Sequence, residues 1–411
     1  MYRMSVVVVA VALLLSKASV AHADVVVDWN TIMLNTISGQ NPFAQARLAA
    51  ITQLAVFEAV NACTGAYEPY LGTLNAPPGA SPEAAAIVAA YTVLKHYFQA
   101  AATLDAARDT SLLAIPDGVA KTDGMNAGEA AGNAMIAARA NDGSSPLETF
   151  LPASTDPGVW QPTPPAFGPG LFLNWGTVTP FGIQRGDQFR LGPPPALTSE
   201  QYRKAYDEVK MVGEVNSAAR PQDRTDVAHF YAAATPVQVW NATAQQVIAE
   251  RAISISAEAR AYALLNMAMS DALVAVFDTK YFYVFWRPVT AIRAGDADGN
   301  PNTDGDTAWT PLINTPSFPS YASAHGSASG AAAKVLSRLF SAAGHTITLS
   351  NPALPGLALH YTTFRQITDD VSDARVYGGI HFRFDQDEGN TLGREVGRYV
   401  LNHNLRTPGD R

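Results

Sequence analysis

The chain has 411 residues, 47% hydrophobic and 16% charged, with a formal net charge of −8. That length suits one large domain or two smaller ones, and the negative balance argues against nucleic acid or an anionic membrane surface as partner. Its only cysteine, Cys63, excludes an intrachain disulfide, so the core must hold the fold together; the apolar spacing Phe57, Val60, Cys63 marks the thiol as a packing residue.

Arg3, the apolar run from Ser5 to Leu15 and Ala-His-Ala at 21–23 form the basic, apolar and small-residue parts of an export signal. Residues 1–23 are therefore read as a signal peptide cleaved before Asp24. The apolar run is short for a bilayer span, and no later segment reaches about eighteen uninterrupted apolar residues. A mature chain without a membrane span, exported to the periplasm or beyond, is the expectation.

Three parts follow. In 24–143, apolar residues at 42–62 recur at helical spacing (Leu48, Ile51, Leu54, Phe57). Ser81-Pro82-Glu83 reads as a cap with proline at the first helical position, opening a helix expected to run to about Leu104. A third helix is expected over roughly 118–140. Residues 144–197 are crowded with Pro and Gly, which argues against regular helix. They also carry Trp160, Phe167, Phe172, Trp175 and Phe181, unlike a disordered linker; an ordered loop packed on the helical core is expected. From 198 to 411 helices resume, opened by a Thr198/Gln201 capping box. Helices are expected near 222–234, 240–253, 256–286, 324–342, 366–380 and 387–403, with a strand at 345–350. The fold class is all-α: a multi-helix bundle, with two four-helix-bundle-like halves and a long Pro/Gly-rich loop.

Three segments carry chemistry. In KYFYVFWRP (280–288), Lys280 and Arg287 bracket an apolar run that should be buried, with no Asp or Glu between them. If the helix continues to Pro288, they share a face about 10 Å apart along the axis and can converge on one small anion. In TPSFPSYASAH (315–325), Ser323 and the first N–H groups of the following helix favour an anion, and His325 can move a proton near neutral pH. In DARVYGGIHFRFDQDEG (373–389), Arg375 offers a permanently charged fork. His381 can be a nucleophile or metal ligand, and Asp385, four residues on, can fix its tautomer. Bland readings exist for each segment alone, with snorkelling cations, an ordinary N-cap and a surface helix of Arg–Asp pairs. Together they form the inventory for one tetrahedral oxyanion.

The order Lys-x6-Arg-Pro, Pro-Ser-Phe-Pro-Ser-Tyr-Ala-Ser-Ala-His, Ala-Arg-x5-His-x3-Asp resembles the tripartite signature of the vanadium-dependent haloperoxidases. Type 2 phosphatidic acid phosphatases and class A bacterial acid phosphatases share it. The resemblance is clearest over about 256–400. It implies a vanadate cofactor whose oxygens are held by Lys280, Arg287, Arg375, Ser323 and the backbone N–H of Ala324. It further implies that His381 bonds the metal, with His325, Lys280 and Asp385 as the catalytic group. Two positions depart from the pattern: Ala324 where the family has Gly, and Ala374 where it has Ser. The implied reaction oxidises a halide with hydrogen peroxide to hypohalous acid, which meets a small organic acceptor. Because phosphate has the same shape, two alternatives accompany it. One is a phosphatase acting on a phosphoester through a phosphohistidine at His381. The other is a non-catalytic phosphate- or vanadate-binding protein. Phe318, seven residues before His325, and the chain length favour the haloperoxidase. DADGNPNTDGD (296–306) has Pro301 where a calcium loop needs Gly and is read as an acidic turn. His96, His229, His345, His360 and His403 show no ligand spacing.

Overall fold

The computed structural model describes residues 25–72 and 74–409; the stretch 1–23, read above as an export signal, lies outside them. Among the described residues there are thirteen α-helices and two small two-stranded sheets. The expectation of a mainly helical bundle holds.

The first part contains Val25–Ile37 (α1), Pro42–Thr64 (α2), Pro82–Tyr97 (α3), Ala102–Leu113 (α4) and Val119–Ala138 (α5). Helix α1 has no counterpart in the sequence reading. Ser81 caps α3 as expected, its side chain accepting from the Ala84 N–H. However, α3 stops at Tyr97, and α4 starts afresh at Ala102 instead of continuing α3 to Leu104. No Gly or Pro marks that break, and the apolar residues on both sides keep helical spacing, so periodicity alone cannot see it.

The Pro/Gly-rich segment is ordered. Thr149–Phe150 (β1) pairs antiparallel with Gly170–Leu171 (β2), and Trp160 and Trp175 are buried. It is clamped from both sides. The buried Asp271 carboxylate accepts from the N–H groups of Phe181, Gly182 and Ile183 at 2.7, 2.6 and 2.9 Å. Arg139 donates to the carbonyls of Thr179 and Pro180.

The third part contains Glu200–Val212 (α6), Gln222–Ala233 (α7), Pro236–Ala249 (α8), Ile255–Tyr283 (α9), Pro288–Arg293 (α10), Ala324–Phe340 (α11), Phe364–Tyr377 (α12) and Arg383–His403 (α13). Between α11 and α12 lies the hairpin of Ala343–Ser350 (β3) and Ala358–Thr363 (β4). The cap of α6 is Ser199, accepting from Tyr202, and not the expected Thr198/Gln201 box. True capping boxes stand at Thr235/Gln238 and Thr363/Gln366.

Helix α9 is the axis of the fold, packing on α2, α11 and α13. It is long and apolar enough to cross a bilayer by length and composition, but 94% of its apolar window is buried inside the protein. A helix apolar on all sides is what a core position requires. Helices α11 and α13 meet along a seam of small residues. A Cβ on Gly393 would lie 2.0 Å from the Ser327 carbonyl oxygen, and one on Gly330 would lie 2.6 Å from that of Asn390. Only glycine allows this approach, and it sets the start of α11 against the start of α13, where the candidate site forms.

Candidate active site

The site begins where α9 ends. Val284 adopts φ 49° and ψ 41°, and its N–H bonds to the Lys280 carbonyl at 2.8 Å. A β-branched residue in this left-handed region costs about 1–3 kcal/mol and needs its surroundings to hold it. The Pro/Gly-rich loop does so: Trp160 N–H bonds to the Val284 carbonyl at 2.7 Å and Trp286 N–H to that of Gly158 at 2.9 Å. Arg287 is therefore extended and caps α10. This corrects the expectation that Lys280 and Arg287 share one helix face. They converge across a turn: Lys280 Nζ and Arg287 Cζ lie 5.2 and 5.0 Å from the centroid of the Phe318 ring.

Both cations are wholly buried, and Arg375 is 4% exposed. None is paired with a carboxylate. Lys280 Nζ donates to the carbonyls of Pro319 and Ser320, each at 2.7 Å, leaving one of its three donors free. Arg287 donates from Nε to Phe318 O at 2.8 Å and from Nη1 to Ile380 O at 2.9 Å. Arg375 donates from Nη1 to Tyr231 O at 3.3 Å. Arg287 Nη2 and Arg375 Nε are buried with no partner. Buried guanidinium N–H groups are rarely left so, because each costs the desolvation of a charged donor.

One carboxylate sits nearby, and it serves a histidine. Asp385 Oδ2 lies 2.8 Å from His381 Nδ1 and accepts from Ser320 Oγ at 2.6 Å and Phe382 N–H at 3.1 Å. This pairing keeps the His381 proton on Nδ1 and leaves a lone pair on Nε2, 3.0 Å from Arg287 Nη1. The expected tautomer lock by Asp385 is present, and Asp385 is fully buried.

Ser323 caps α11: its Oγ accepts from Gly326 N–H at 3.1 Å, while its own N–H bonds to the Asp385 carbonyl at 2.8 Å. Its hydroxyl proton stays available. Ala324 and His325 are the first two residues of α11, where backbone N–H groups have no intrahelical acceptor. Ala324, His325 and Arg375 line a cavity of about 530 Å³ whose other walls are largely apolar. Lys280, Arg287, Ser323 and His381 form the buried layer behind that wall. Ala324, in place of the family's Gly, fits as the first helical residue, and Ala374 is buried.

Electrostatics expresses the charge excess. Burial, then the charges of Arg287 and Arg375, push Lys280 well below its ordinary range, against the pull of Asp385. Burial lowers Arg375, and burial with Arg375 lowers Arg287. His325 and His381 are pushed far below 6.5 by burial and then by the three cations, so both rings are neutral at pH 7. Burial raises Asp385 to about 6, opposed by Ser320, Lys280 and Arg287. A bound anion would relieve every one of the cation shifts.

Every candidate site residue named from the three segments thus falls in one region. Sequence reasoning missed Ser320, which links the site twice, through Oγ to Asp385 and through its carbonyl to Lys280. Its only signal was its place inside the second segment. The carbonyls of Phe318, Ile380 and Tyr231 carry no side-chain signature at all. Elsewhere, Asp298 in the acidic turn accepts from Asn300 N–H and Thr303 Oγ1, and His345 stacks on Phe364. Arg383 pairs with Glu208 and Asp373 at 2.6 and 2.9 Å. Cys63 is half-buried, with its thiol pushed up to about 11 by burial, then Glu83.

Comparison with known proteins bears on the fold and on the C-terminal part. The family model for the VCPO second helical-bundle domain matches residues 260–408. Vanadium chloroperoxidase from Curvularia inaequalis is 24% identical over 198 residues, which is 40% of this chain and 32% of that protein. The match thus spans about a third of that relative's length. Among solved structures, the first bacterial vanadium-dependent iodoperoxidase superposes with a TM-score of 0.79 at 26% identity, covering 94% of this chain and 97% of that one. A holo-type bacterial vanadium-dependent chloroperoxidase gives 0.71 at 16% identity over 90% and 94% of the two chains, a likeness of fold alone. This chain is a relative of the vanadium haloperoxidases, with their helical fold.

Proposed function

We propose that the protein is a vanadate-dependent haloperoxidase that oxidises a halide with hydrogen peroxide: halide, H₂O₂ and H⁺ give hypohalous acid and water. The observation that carries this reading is the buried cluster of three cations, uncompensated but for one carboxylate, in which Arg287 Nη2 and Arg375 Nε have no partner. The donor set fits a tetrahedral oxyanion. Lys280, Arg287, Arg375, the Ser323 hydroxyl and the Ala324 N–H would hold the oxygens of vanadate, and His381 Nε2 would bond the metal. Bound vanadate supplies Lewis-acid activation of peroxide for a two-electron oxidation.

The remaining work belongs to the chain. Asp385 and Ser320 hold His381 with its Nε2 lone pair directed at the cluster. Lys280, with one donor to spare, polarises an oxygen beside it. His325, neutral and half-buried on the cavity wall, takes a proton at a ring nitrogen from incoming peroxide and returns it as water leaves. Phe318 covers Lys280 and Arg287 and keeps bulk water from screening them.

The decisive experiment loads the purified protein with orthovanadate and assays iodide, bromide and chloride oxidation by peroxide beside a chromogenic phosphoester. Halide oxidation that requires vanadate and disappears in His381→Ala is expected. Phosphoester turnover inhibited by vanadate, with no halide oxidation, would overturn the proposal. The pattern of residues 1–23 supports export of the chain, and a mature N-terminus at Asp24 in the exported fraction is the corresponding test.

A further inference from the structure

Hydrogen peroxide and a halide ion are small, each occupying on the order of one or two waters' share of about 30 Å³. The cavity beside His325 encloses about 530 Å³, within the range of pockets that hold drug-sized organic molecules. Its walls are the wrong chemistry for the two inorganic reactants. Phe43, Phe172, Val237, Leu273 and Phe318 offer apolar surface, and the charged or titratable groups on its wall, His325 and Arg375, belong to the oxyanion site. Phe43 and Phe172 touch with ring centroids 4.3 Å apart, and Phe43 meets Phe318 edge-on at 6.2 Å. This aromatic wall therefore runs from the cavity to the ring that covers Lys280 and Arg287. Three separate parts of the chain build it: the start of α2, the clamped loop and the segment before α11. The cavity reaches solvent at Pro42, Leu171 and Ala232, which are exposed.

Resting on the proposed function, we infer that this cavity binds the organic acceptor, a neutral, electron-rich aromatic ring of about naphthol size, before the oxidant forms, so that halogenation occurs inside the protein. Edge-to-face packing against Phe43 and Phe318 suits an aromatic ring, and the lack of a spare counter-charge on the walls disfavours an ionic acceptor. In the step, the O–X bond of hypohalous acid breaks as the new carbon–halogen bond forms. The ring carbon loses its proton, which leaves with the oxygen as water. Peroxide has already supplied the two-electron oxidation.

The test uses vanadate-loaded full-length protein with 1-naphthol as the probe. Saturable naphthol binding to the folded protein is expected, measured by calorimetry without peroxide. The ratio of ortho to para halogenated products should differ from the ratio given by reagent hypohalous acid. Val237→Phe, which fills the cavity, should raise the naphthol KM about tenfold relative to that for iodide. Ala232→Trp at the exposed rim should do the same if Val237→Phe does not fold. No saturable binding, with a product ratio equal to that of the free reagent, overturns the inference while halide oxidation persists. Naphthol binding without any halide oxidation would instead sink the oxidation reading, and the in-protein halogenation with it.

Discussion

Two buried charge clusters make an instructive pair. In the N-terminal part, Arg139 is 3% exposed, pairs with Asp142 at 3.1 Å and stacks over Phe181 at 3.8 Å. Arg47 adds a second bond to Asp142 at 2.6 Å. Burial works against the Asp142 carboxylate, yet bonds from Arg47 and Ser144 and the charges of both arginines hold it below its ordinary range. At the candidate site the ingredients are alike, but Asp385 is raised to about 6 by burial, despite Ser320, Lys280 and Arg287. The difference is pairing. In the first cluster the carboxylate meets the cations directly. In the second it serves His381, and the cations bond only to carbonyls and a ring nitrogen, with donors left over. A cation whose donors are spent inside the protein holds the fold; one with buried donors unspent beside a cavity has the chemistry to take a ligand.

Breaking each cluster should give different phenotypes. The largest effect is expected for His381→Ala, which should lower vanadate-dependent halide oxidation by on the order of 10³-fold or more, read as initial rates over a vanadate titration. Next, Arg139→Leu leaves Asp142 buried with only Arg47 and the Ser144 N–H as partners and should cost about 3–5 kcal/mol in urea unfolding, with vanadate affinity of the folded protein unchanged. Arg375→Leu should do the reverse. The vanadate-free protein should change by less than about 1 kcal/mol, because a poorly partnered buried charge is removed. Vanadate affinity should fall about 10- to 150-fold, the equivalent of one charge-assisted bond, read as thermal stabilisation against vanadate concentration. If Arg375→Leu destabilises the free protein as much as Arg139→Leu does, the distinction collapses. Ser320→Ala should cost about 1–2 kcal/mol and weaken vanadate binding without abolishing it.

The smallest effect, taken per pH unit, is a pH dependence. The folded pKa of Lys280 is depressed, so at alkaline pH the unfolded chain binds a proton that the folded one does not. Stability of the vanadate-free protein should then rise with pH up to about 10.4, by at most about 1.4 kcal/mol per pH unit from this group. The difference between wild type and Lys280→Gln isolates it, and saturating vanadate should flatten it. A wild-type curve parallel to that of the variant would contradict the charge-excess account.

Much of the site was legible in the sequence because its side chains are chemically distinctive. Lys280, Arg287, Ser323, His325, Arg375, His381 and Asp385 stand in three short segments whose order resembles a known signature. The relation between Lys280 and Arg287 was not legible. Helical spacing placed them on one face, but α9 ends in a left-handed turn at Val284, imposed by hydrogen bonds from a loop more than a hundred residues upstream. No glycine marks that turn. The break between α3 and α4 was hidden for a related reason, since apolar residues keep helical spacing across it.

By itself the sequence determined the helical class, most helix positions, the order of the Pro/Gly-rich segment and the reactive side chains. These follow from periodicity, capping and residue chemistry, which act over a few neighbours. Only the tertiary structure decided which donors are spent. The carbonyls of Phe318, Pro319, Ser320 and Ile380 take some of the hydrogen bonds of Lys280 and Arg287 and leave others unmade. Backbone carbonyls are the same in every residue, so their arrival at a cation is set by the packing of distant segments.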